Sequence, residues 1–163
     1  MSNFQFLQSD FPALYADAVE AEQLTFLSPK ASAIFCRSSL ENAVNWLYDN
    51  DRALSRPWRA DLSTLLHEHS FKSLFNNTLF NELNLIRKTG NIAAHGKSVS
   101  QQDALASLKY LFRFMRHLAI YYGKSVPDTQ LFDEALIPRE NADTVQPPSI
   151  ETTLAEVDTK NQS

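Results

Sequence analysis

The stretch that decides the fold is "SPKASAIFCRSSLENAVNWLYDN", residues 28–50. Ser28 followed by Pro29 is typical of a helix start, because serine is a favoured N-cap residue and proline is tolerated at the first helical position. Apolar side chains then recur every three or four residues, at Ala33, Cys36, Leu40, Ala43, Val44 and Leu47. Since this spacing places them on one side of a helix, the stretch predicts a long amphipathic helix with one buried face.

The same periodicity continues on both sides of this helix, and only three of the 163 residues are glycine. Further helices are predicted over residues 10–27, 61–69 and 79–95, and from Ser100 to Gly123. Asp10 is a candidate N-cap of the first, and Ser100 with Asp103 forms a candidate capping box. Because helices joined by short connections tend to pack antiparallel, we predict an all-α fold, an antiparallel bundle of four to five helices.

Charge divides the chain into a near-neutral part and an acidic part. Residues 1–123 carry twelve Lys or Arg and eleven Asp or Glu, whereas residues 124–163 carry three and eight. We expect a helical bundle over 1–123, an extended proline-marked segment over 124–140, and an acidic disordered tail or linker over 141–163. The tail has too few large apolar side chains to offset chain entropy. A weak helix over residues 150–157 is the alternative for part of it.

The sequence lacks the signatures of several classes of protein. It contains no P-loop, dinucleotide-binding fingerprint or zinc-ligand spacing, so we expect no cofactor and no metal. Its single cysteine, Cys36, lies on the apolar stripe and is expected to be a small buried hydrophobe. No basic and apolar leader opens the chain, and no apolar run is long enough to cross a bilayer. We therefore expect a soluble protein of the reducing cytoplasm, with no membrane contact.

The candidate site lies in "LIRKTGNIAAHGKS", residues 85–98. Arg87, Asn91 and His95 are four residues apart and share one face of a helix. They allow a catalytic interpretation, with histidine as general acid or base, arginine holding a phosphate and asparagine orienting either. They also allow a structural one, which we favour, in which they bond to a facing helix. Gly90 would then let that helix come close, and Gly96 would end the helix.

Two further charged groups accompany this site. Arg37 and Glu41, four apart on one helix, either form a surface ion pair or reach inward to complete a structural polar cluster with Asn91 and His95. We expect His95 to be chiefly a bundle residue, bonded to Asn91 or to that ion pair. The second group is a basic stripe of Lys109, Arg113 and Arg116, with Lys97 nearby, which either contacts phosphates or, as we favour, is a solvated face.

The segments "CRSSLENAVNWLY", "LNLIRKTGNIAAHG" and "FDEALIP" resemble the amino-terminal helical domain of type I restriction enzyme R subunits and related helicase-bearing proteins. The resemblance covers about residues 4–138. In that family the helical domain precedes a nuclease and an ATP-driven motor that translocates DNA. It implies a parent function in anti-phage defence, the ATP-dependent restriction of unmodified foreign DNA by a type I site-specific deoxyribonuclease. The implied partners are methylation and specificity subunits.

The same helical domain is similar to the wider HEPN class, some of whose members are metal-independent ribonucleases. Their motif is an arginine, usually followed by a polar residue, then four to six residues and a histidine. Here Asn91 fits the polar residue and His95 the histidine, but Gly90 stands where the motif has arginine. Arg87 comes a full turn too early. Without an adjacent guanidinium, little would stabilise the charged transition state of RNA cleavage.

The first hypothesis is therefore a non-catalytic interaction module that docks to restriction-modification subunits, to the downstream motor or to DNA. The alternative is a HEPN-type ribonuclease that acts on RNA as a homodimer, through Arg87, Asn91 and His95. A standalone defence adaptor is the third possibility. No residue is expected to be catalytic under the first hypothesis.

Overall fold

The computed structural model describes residues 1–139, and within them the fold is all-α, as predicted. The helices are α1 (Pro12–Leu24), α2 (Pro29–Asn50), α3 (Leu62–His67), α4 (His69–Lys72), α5 (Asn77–Ala94) and α6 (Gln101–Tyr122). Two 3-10 turns, Gln5–Leu7 and Glu134–Leu136, flank them, and no strand occurs in the described range. The predicted disordered tail, residues 141–163, lies outside the described residues.

The four long helices α1, α2, α5 and α6 form the bundle, and consecutive members run in opposite directions. Gly90, near the end of α5, lies against Arg37 and the Ala33 carbonyl, near the start of α2. At the opposite end, Tyr122 of α6 donates a hydrogen bond of 2.5 Å to the Asp51 carboxylate, just beyond α2. Therefore α5 is antiparallel to both α2 and α6, and the predicted antiparallel bundle is confirmed.

α2 is the central helix and packs against α1, α5 and α6. All six residues of its predicted stripe are at most 1% exposed. Full burial of a Leu or Val side chain contributes about 1.5–3 kcal/mol, so this stripe is a large part of the stabilising core. Burial also raises the pKa of the Cys36 thiol to about 12, which keeps it protonated and unreactive.

Two predicted helix ends differ in the structure. Asp10 does not cap α1, because its carboxylate instead accepts hydrogen bonds from the backbone N–H groups of Lys124 (2.8 Å) and Ser125 (3.2 Å). The helix predicted over residues 61–69 is divided into α3 and α4 at Glu68, where the backbone is extended. The first difference arises from a bond to a distant segment, whereas at Glu68 the side chain accepts from the backbone N–H of Ser70 (2.9 Å) and so starts the new helix α4.

Residues 124–139, here named the returning segment, run back along the bundle from the end of α6 towards its start. Phe132 packs edge-on against Phe112 of α6, with ring centroids 5.4 Å apart. Further along, the Arg139 guanidinium lies 4.0 Å from the centre of the Phe26 ring, just after α1. The returning segment thus covers one side of α6 and ends near its first residues.

Asn3 joins the returning segment to the amino-terminal residues and to α1. Its side-chain amide donates hydrogen bonds to the Glu22 carboxylate (2.8 Å) and the Asp133 carbonyl (2.9 Å), and accepts one from the Asp133 N–H (2.7 Å). Its backbone N–H also donates to Glu22 (3.0 Å), and its carbonyl accepts from Gln130 (2.9 Å). Asn3 is fully buried and every polar group it carries has a partner. We call these contacts the Asn3 clip.

Candidate functional site

The structure does not assemble Arg87, Asn91 and His95 into one site. Arg87 is half-buried, and its guanidinium bonds back to the Asn84 amide oxygen, at 3.2 Å from Nη2 and 3.4 Å from Nε. It therefore points towards the start of α5, away from Asn91. His95 is exposed, and within residues 1–139 neither its ring nor the Asn91 side chain makes a hydrogen bond. This places His95 outside the bundle, contrary to the structural prediction.

Helix geometry explains the position of His95. Each residue turns an α-helix by about 100°, so residues four apart are displaced by about 40° around the axis. The buried stripe of α5 comprises Leu83, Ile86, Gly90 and Ala93. Arg87 lies at the edge of this stripe, Asn91 lies further round, and His95 faces solvent. Ile92 also lies outside the stripe and is 46% exposed.

α5 ends just before His95, and Gly96 is the residue at which the chain leaves the helix. This glycine has φ +85°, the left-handed region that favours glycine. Its N–H donates to the Ala93 carbonyl (3.0 Å) and that of Lys97 to the Ile92 carbonyl (3.2 Å), the bonds of a Schellman motif. The helix-ending role predicted for Gly96 is confirmed. His95 is the C-cap of α5, and the chain turns away from the helix immediately after it.

Arg37 and Glu41 form an ion pair on α2, with 3.5 Å between Nη1 and Oε1. Both side chains are partly exposed, at 30% and 37%. No hydrogen bond joins the pair to Asn91 or His95 in the described part of the chain, so the predicted four-residue polar cluster does not form. Instead, the stem of Arg37 crosses α5 at Gly90, and its Nε is buried without a partner among residues 1–139.

Two cations of the predicted basic stripe hold the returning segment. The Arg116 guanidinium donates to the Asp128 carbonyl (2.8 Å) and lies 5.5 Å from the centre of the Phe6 ring. The Lys109 ammonium lies 5.9 Å from the centre of the Phe132 ring. These contacts are structural, whereas Lys97 is exposed beyond the end of α5. The predicted phosphate contacts of the stripe stay a prediction.

The third cation, Arg113, forms a two-point ion pair with Glu82 across the α5–α6 interface. Nε lies 2.9 Å from Oε1 and Nη2 lies 2.8 Å from Oε2. These bonds raise the pKa of Arg113, and the Glu82 side chain is only 11% exposed. A bidentate pair of this kind fixes both the distance and the orientation of its partners.

This ion pair forms part of the wall of an open groove between the start of α5 and the end of α6. The groove has a cavity volume of about 410 Å³. Its lining is mainly apolar, and it includes Leu79, Glu82, Phe112, Arg113, Ile120 and Tyr121. Ile120 is 43% and Tyr121 70% exposed. We call it the α5–α6 groove.

His117 lies in the α5–α6 groove between two aromatic rings. Its ring centroid is 5.0 Å from that of Phe75 and 4.5 Å from that of Tyr121. Burial lowers the pKa of this imidazole, so His117 is more strongly held in its neutral form than a solvated histidine. The neutral ring adds to the apolar character of the groove.

The sequence interpretation missed this groove. Ile120 and Tyr121, at the end of α6, are exposed, and neither residue was predicted from the sequence to be part of a site. A signal was available: "AIYY", residues 119–122, is a run of four apolar residues, and a helix with one buried face cannot bury all of them. No sequence signal of this kind predicted the ion pair between Glu82 and Arg113, because the two residues are 31 positions apart in the chain.

Residues 1–139 contain neither a metal-binding cluster nor a membrane-spanning helix. No group of three or more His, Cys, Asp or Glu side chains there is arranged to hold a metal ion. No helix in this part of the chain is both long enough and apolar enough to cross a membrane.

Comparison with known proteins gives one match. The sequence model of the family described as "Domain of unknown function (DUF4145)" matches residues 19–131. The matched range contains α2 to α6 entire, and so every residue named in the α5–α6 groove. No curated protein and no solved structure matches the chain.

Proposed function

We propose that this chain, which belongs to the DUF4145 family, is a non-catalytic helical docking module that binds a protein partner in the α5–α6 groove. The observation that carries the proposal is the exposure of Ile120 and Tyr121 beside the fixed Glu82–Arg113 pair. Apolar groups clustered in a groove with ordered polar groups at the edge are typical of docking surfaces.

The shape and chemistry of the groove favour an amphipathic helix as the docked element. A helix binds such a groove through apolar side chains three, four and seven residues apart. Arg116 has no carboxylate partner within residues 1–139, and its only hydrogen bond there is to the Asp128 carbonyl. An acidic flank on the docked helix would complement this guanidinium and the partly exposed Arg113.

We further propose that the parent protein resembles a type I restriction enzyme R subunit and serves in anti-phage defence. The support is the resemblance of the segments within residues 4–138 to that family's amino-terminal domain. The partner would then be a methylation or specificity subunit, or the downstream motor, in the cytoplasm. DNA is a weaker candidate, because two of the three cations of the basic stripe are engaged: Arg113 is paired with the Glu82 carboxylate, and Lys109 lies against the Phe132 ring.

The test is binding to purified methylation and specificity subunits from the same genome. The double variant Ile120→Asp with Tyr121→Asp should weaken binding at least tenfold, because charges replace the apolar contacts at the centre of the surface. Leu85→Asp is the matched control, since Leu85 is 46% exposed but lies outside the groove. Equal losses in both proteins would reject the groove as the docking surface. No binding by the wild type would reject these subunits as partners.

A second candidate function is a homodimeric ribonuclease of the HEPN type. The observation that favours it is the exposure of His95, which a catalytic imidazole requires. Leu85 and Ile92, each 46% exposed, lie on the same outward side of α5 and offer an apolar seam for a second copy. Against it stands the orientation of Arg87 towards Asn84. Cleavage of single-stranded RNA in EDTA, lost in a folded His95→Ala variant, would establish this function.

A further inference from the structure

We propose that the α5–α6 groove binds residues 150–158 of this same chain. This inference rests on the proposed function, because it assigns a resident occupant to the same docking surface. The sequence of that segment is "IETTLAEVD". Ile150, Leu154 and Val157 are four and three residues apart, which is the spacing that a helix needs to bind an apolar groove.

The segment has the length that the groove requires. On a helix, the seven-residue interval from Ile150 to Val157 rises about 10 Å. The lining of the groove extends along α6 from Phe112 to Tyr121, an interval of nine residues that rises about 14 Å. Three apolar side chains over that distance would cover the exposed faces of Ile120 and Tyr121.

The charges of the segment and the groove are complementary. Residues 150–158 contain three acidic residues, Glu151, Glu156 and Asp158, and no basic one. At about 100° per residue, Glu151 and Asp158 fall on the same flank of the apolar face. The groove offers the Arg116 guanidinium, which has no carboxylate partner within residues 1–139, whereas Arg113 and Glu82 already neutralise each other.

The chain between the bundle and the segment is long enough to reach the groove. Arg139 lies over the Phe26 ring, and the Phe26 carbonyl accepts a hydrogen bond of 3.1 Å from Gln101 at the start of α6. From Gln101 to His117 in the groove, α6 rises about 24 Å. Residues 140–149 can span about 33 Å when extended.

Occupation of the groove by residues 150–158 of the same chain would regulate the access of a partner to the docking surface. A partner helix would have to displace residues 150–158, and its apparent affinity would fall by the fraction of chains in which the groove is free. Because the segment is tethered, its effective concentration at the groove is in the millimolar range, so a weak contact is sufficient. The proposed function needs only the groove, whereas this inference needs both the groove and the segment.

Disulfide trapping in the full 163-residue chain tests the inference. The double variant Ile120→Cys with Leu154→Cys should form an intramolecular disulfide on mild oxidation at least ten times faster than a matched control. That control is Leu85→Cys with Leu154→Cys, since Leu85 is exposed to a similar extent outside the groove. Cys36 stays in place, because it is fully buried and its raised pKa prevents reaction.

A second arm separates specific docking from random contact. Adding Ile150→Asp and Val157→Asp to the Ile120→Cys, Leu154→Cys chain should reduce the rate of disulfide formation to that of the control. Equal rates for the groove pair and the control would overturn the inference. A covalent dimer as the main product would also overturn it, because the groove would then bind the segment of a second copy.

The subunit-binding assay is independent of disulfide trapping. If Ile120→Asp with Tyr121→Asp abolishes binding to the subunits, the proposed function stands even when trapping fails.

Discussion

Gly90 of α5 lies directly against Arg37 of α2, so that a Cβ built on this glycine would be 2.4 Å from the Cβ of Arg37 and 2.8 Å from its Cδ. The Ala33 carbonyl oxygen would be 3.0 Å away. The first of these contacts involves an atom fixed to the α2 backbone, which a change of side-chain rotamer cannot remove. Gly90 therefore sets how closely the two central helices approach each other.

Gly90→Ala should destabilise the bundle, although alanine favours helices by about 1 kcal/mol over glycine. The added methyl group forces α2 and α5 apart, and overpacking of this kind costs about 1–3 kcal/mol. Urea unfolding followed by circular dichroism measures the difference. Lys88→Ala, at an exposed position of the same helix, should stay within about 0.5 kcal/mol of the wild type. A more stable Gly90→Ala protein would show that the helices can separate without loss.

His95→Ala should leave the free energy of unfolding within about 0.5 kcal/mol of the wild type, because the side chain is exposed. The sequence interpretation, with a buried His95, instead implies a loss of roughly 1–3 kcal/mol for unsatisfied polar partners. Thermal and urea unfolding of the two proteins decide between these values. A loss above about 1 kcal/mol would mean that His95 has a partner in the folded protein.

Arg113→Met should destabilise the bundle more than Lys97→Met, although the sequence assigned both residues to the same possible phosphate surface. Loss of Arg113 leaves the nearly buried Glu82 carboxylate without its two donors. Because the Arg113 side chain is itself half exposed, solvent screening limits the expected cost to about 1–2 kcal/mol. Lys97→Met is the matched control and should be neutral. Equal effects would assign the Glu82–Arg113 pair no net role in stability.

Stability should fall as the pH drops below about 6.5, and His117 should cause part of this loss. Burial lowers the pKa of His117 in the folded protein. As the pH falls, the unfolded chain therefore binds a proton at this residue before the folded chain does, and the free energy of unfolding decreases. Urea midpoints between pH 8 and pH 5 should decline less in His117→Phe, whose ring can pack between Phe75 and Tyr121. An unchanged slope in His117→Phe would contradict the assignment.

Asn3→Ala should cost about 2–3 kcal/mol, since it leaves the buried Glu22 carboxylate and the Asp133 backbone without their side-chain partner. Gln130→Ala is the control, because it removes one bond of the Asn3 clip from a partly exposed residue and should cost less than 1 kcal/mol, as a typical single hydrogen bond does. Urea unfolding at neutral pH measures both. Similar small losses in the free energy of unfolding of the two variants would show that water molecules replace the hydrogen bonds of the Asn3 clip.

The features predicted correctly from sequence are those set by neighbouring residues. The α2 stripe follows from its spacing of three and four, and all its members are buried. The end of α5 follows from Gly96, whose φ of +85° suits glycine. Each of these depends on a few residues within one helix, where periodicity and end preferences are strong signals.

The features that the sequence did not predict depend on distant pairs. Glu82 and Arg113 are 31 residues apart, and Asn3 and Asp133 are 130 apart. No local pattern specifies which polar group meets which across such intervals. For His95, the spacing of four was identified correctly, but the drift of about 40° at each step carries the row from the edge of the buried stripe at Arg87 to solvent at His95.

The Asn3 clip has a mechanical consequence. It closes a loop of 130 residues with hydrogen bonds at the two ends of the described fold. A force that separates these ends acts first on Arg139 and the buried Ile137 and then on the clip, before it reaches the interfaces of the four long helices. Because those bonds would be loaded one after another, they would open at low force and release the returning segment from α6. Tension on the chain would thereby expose Phe112 and the Arg116 guanidinium while α2 and α5 stay packed.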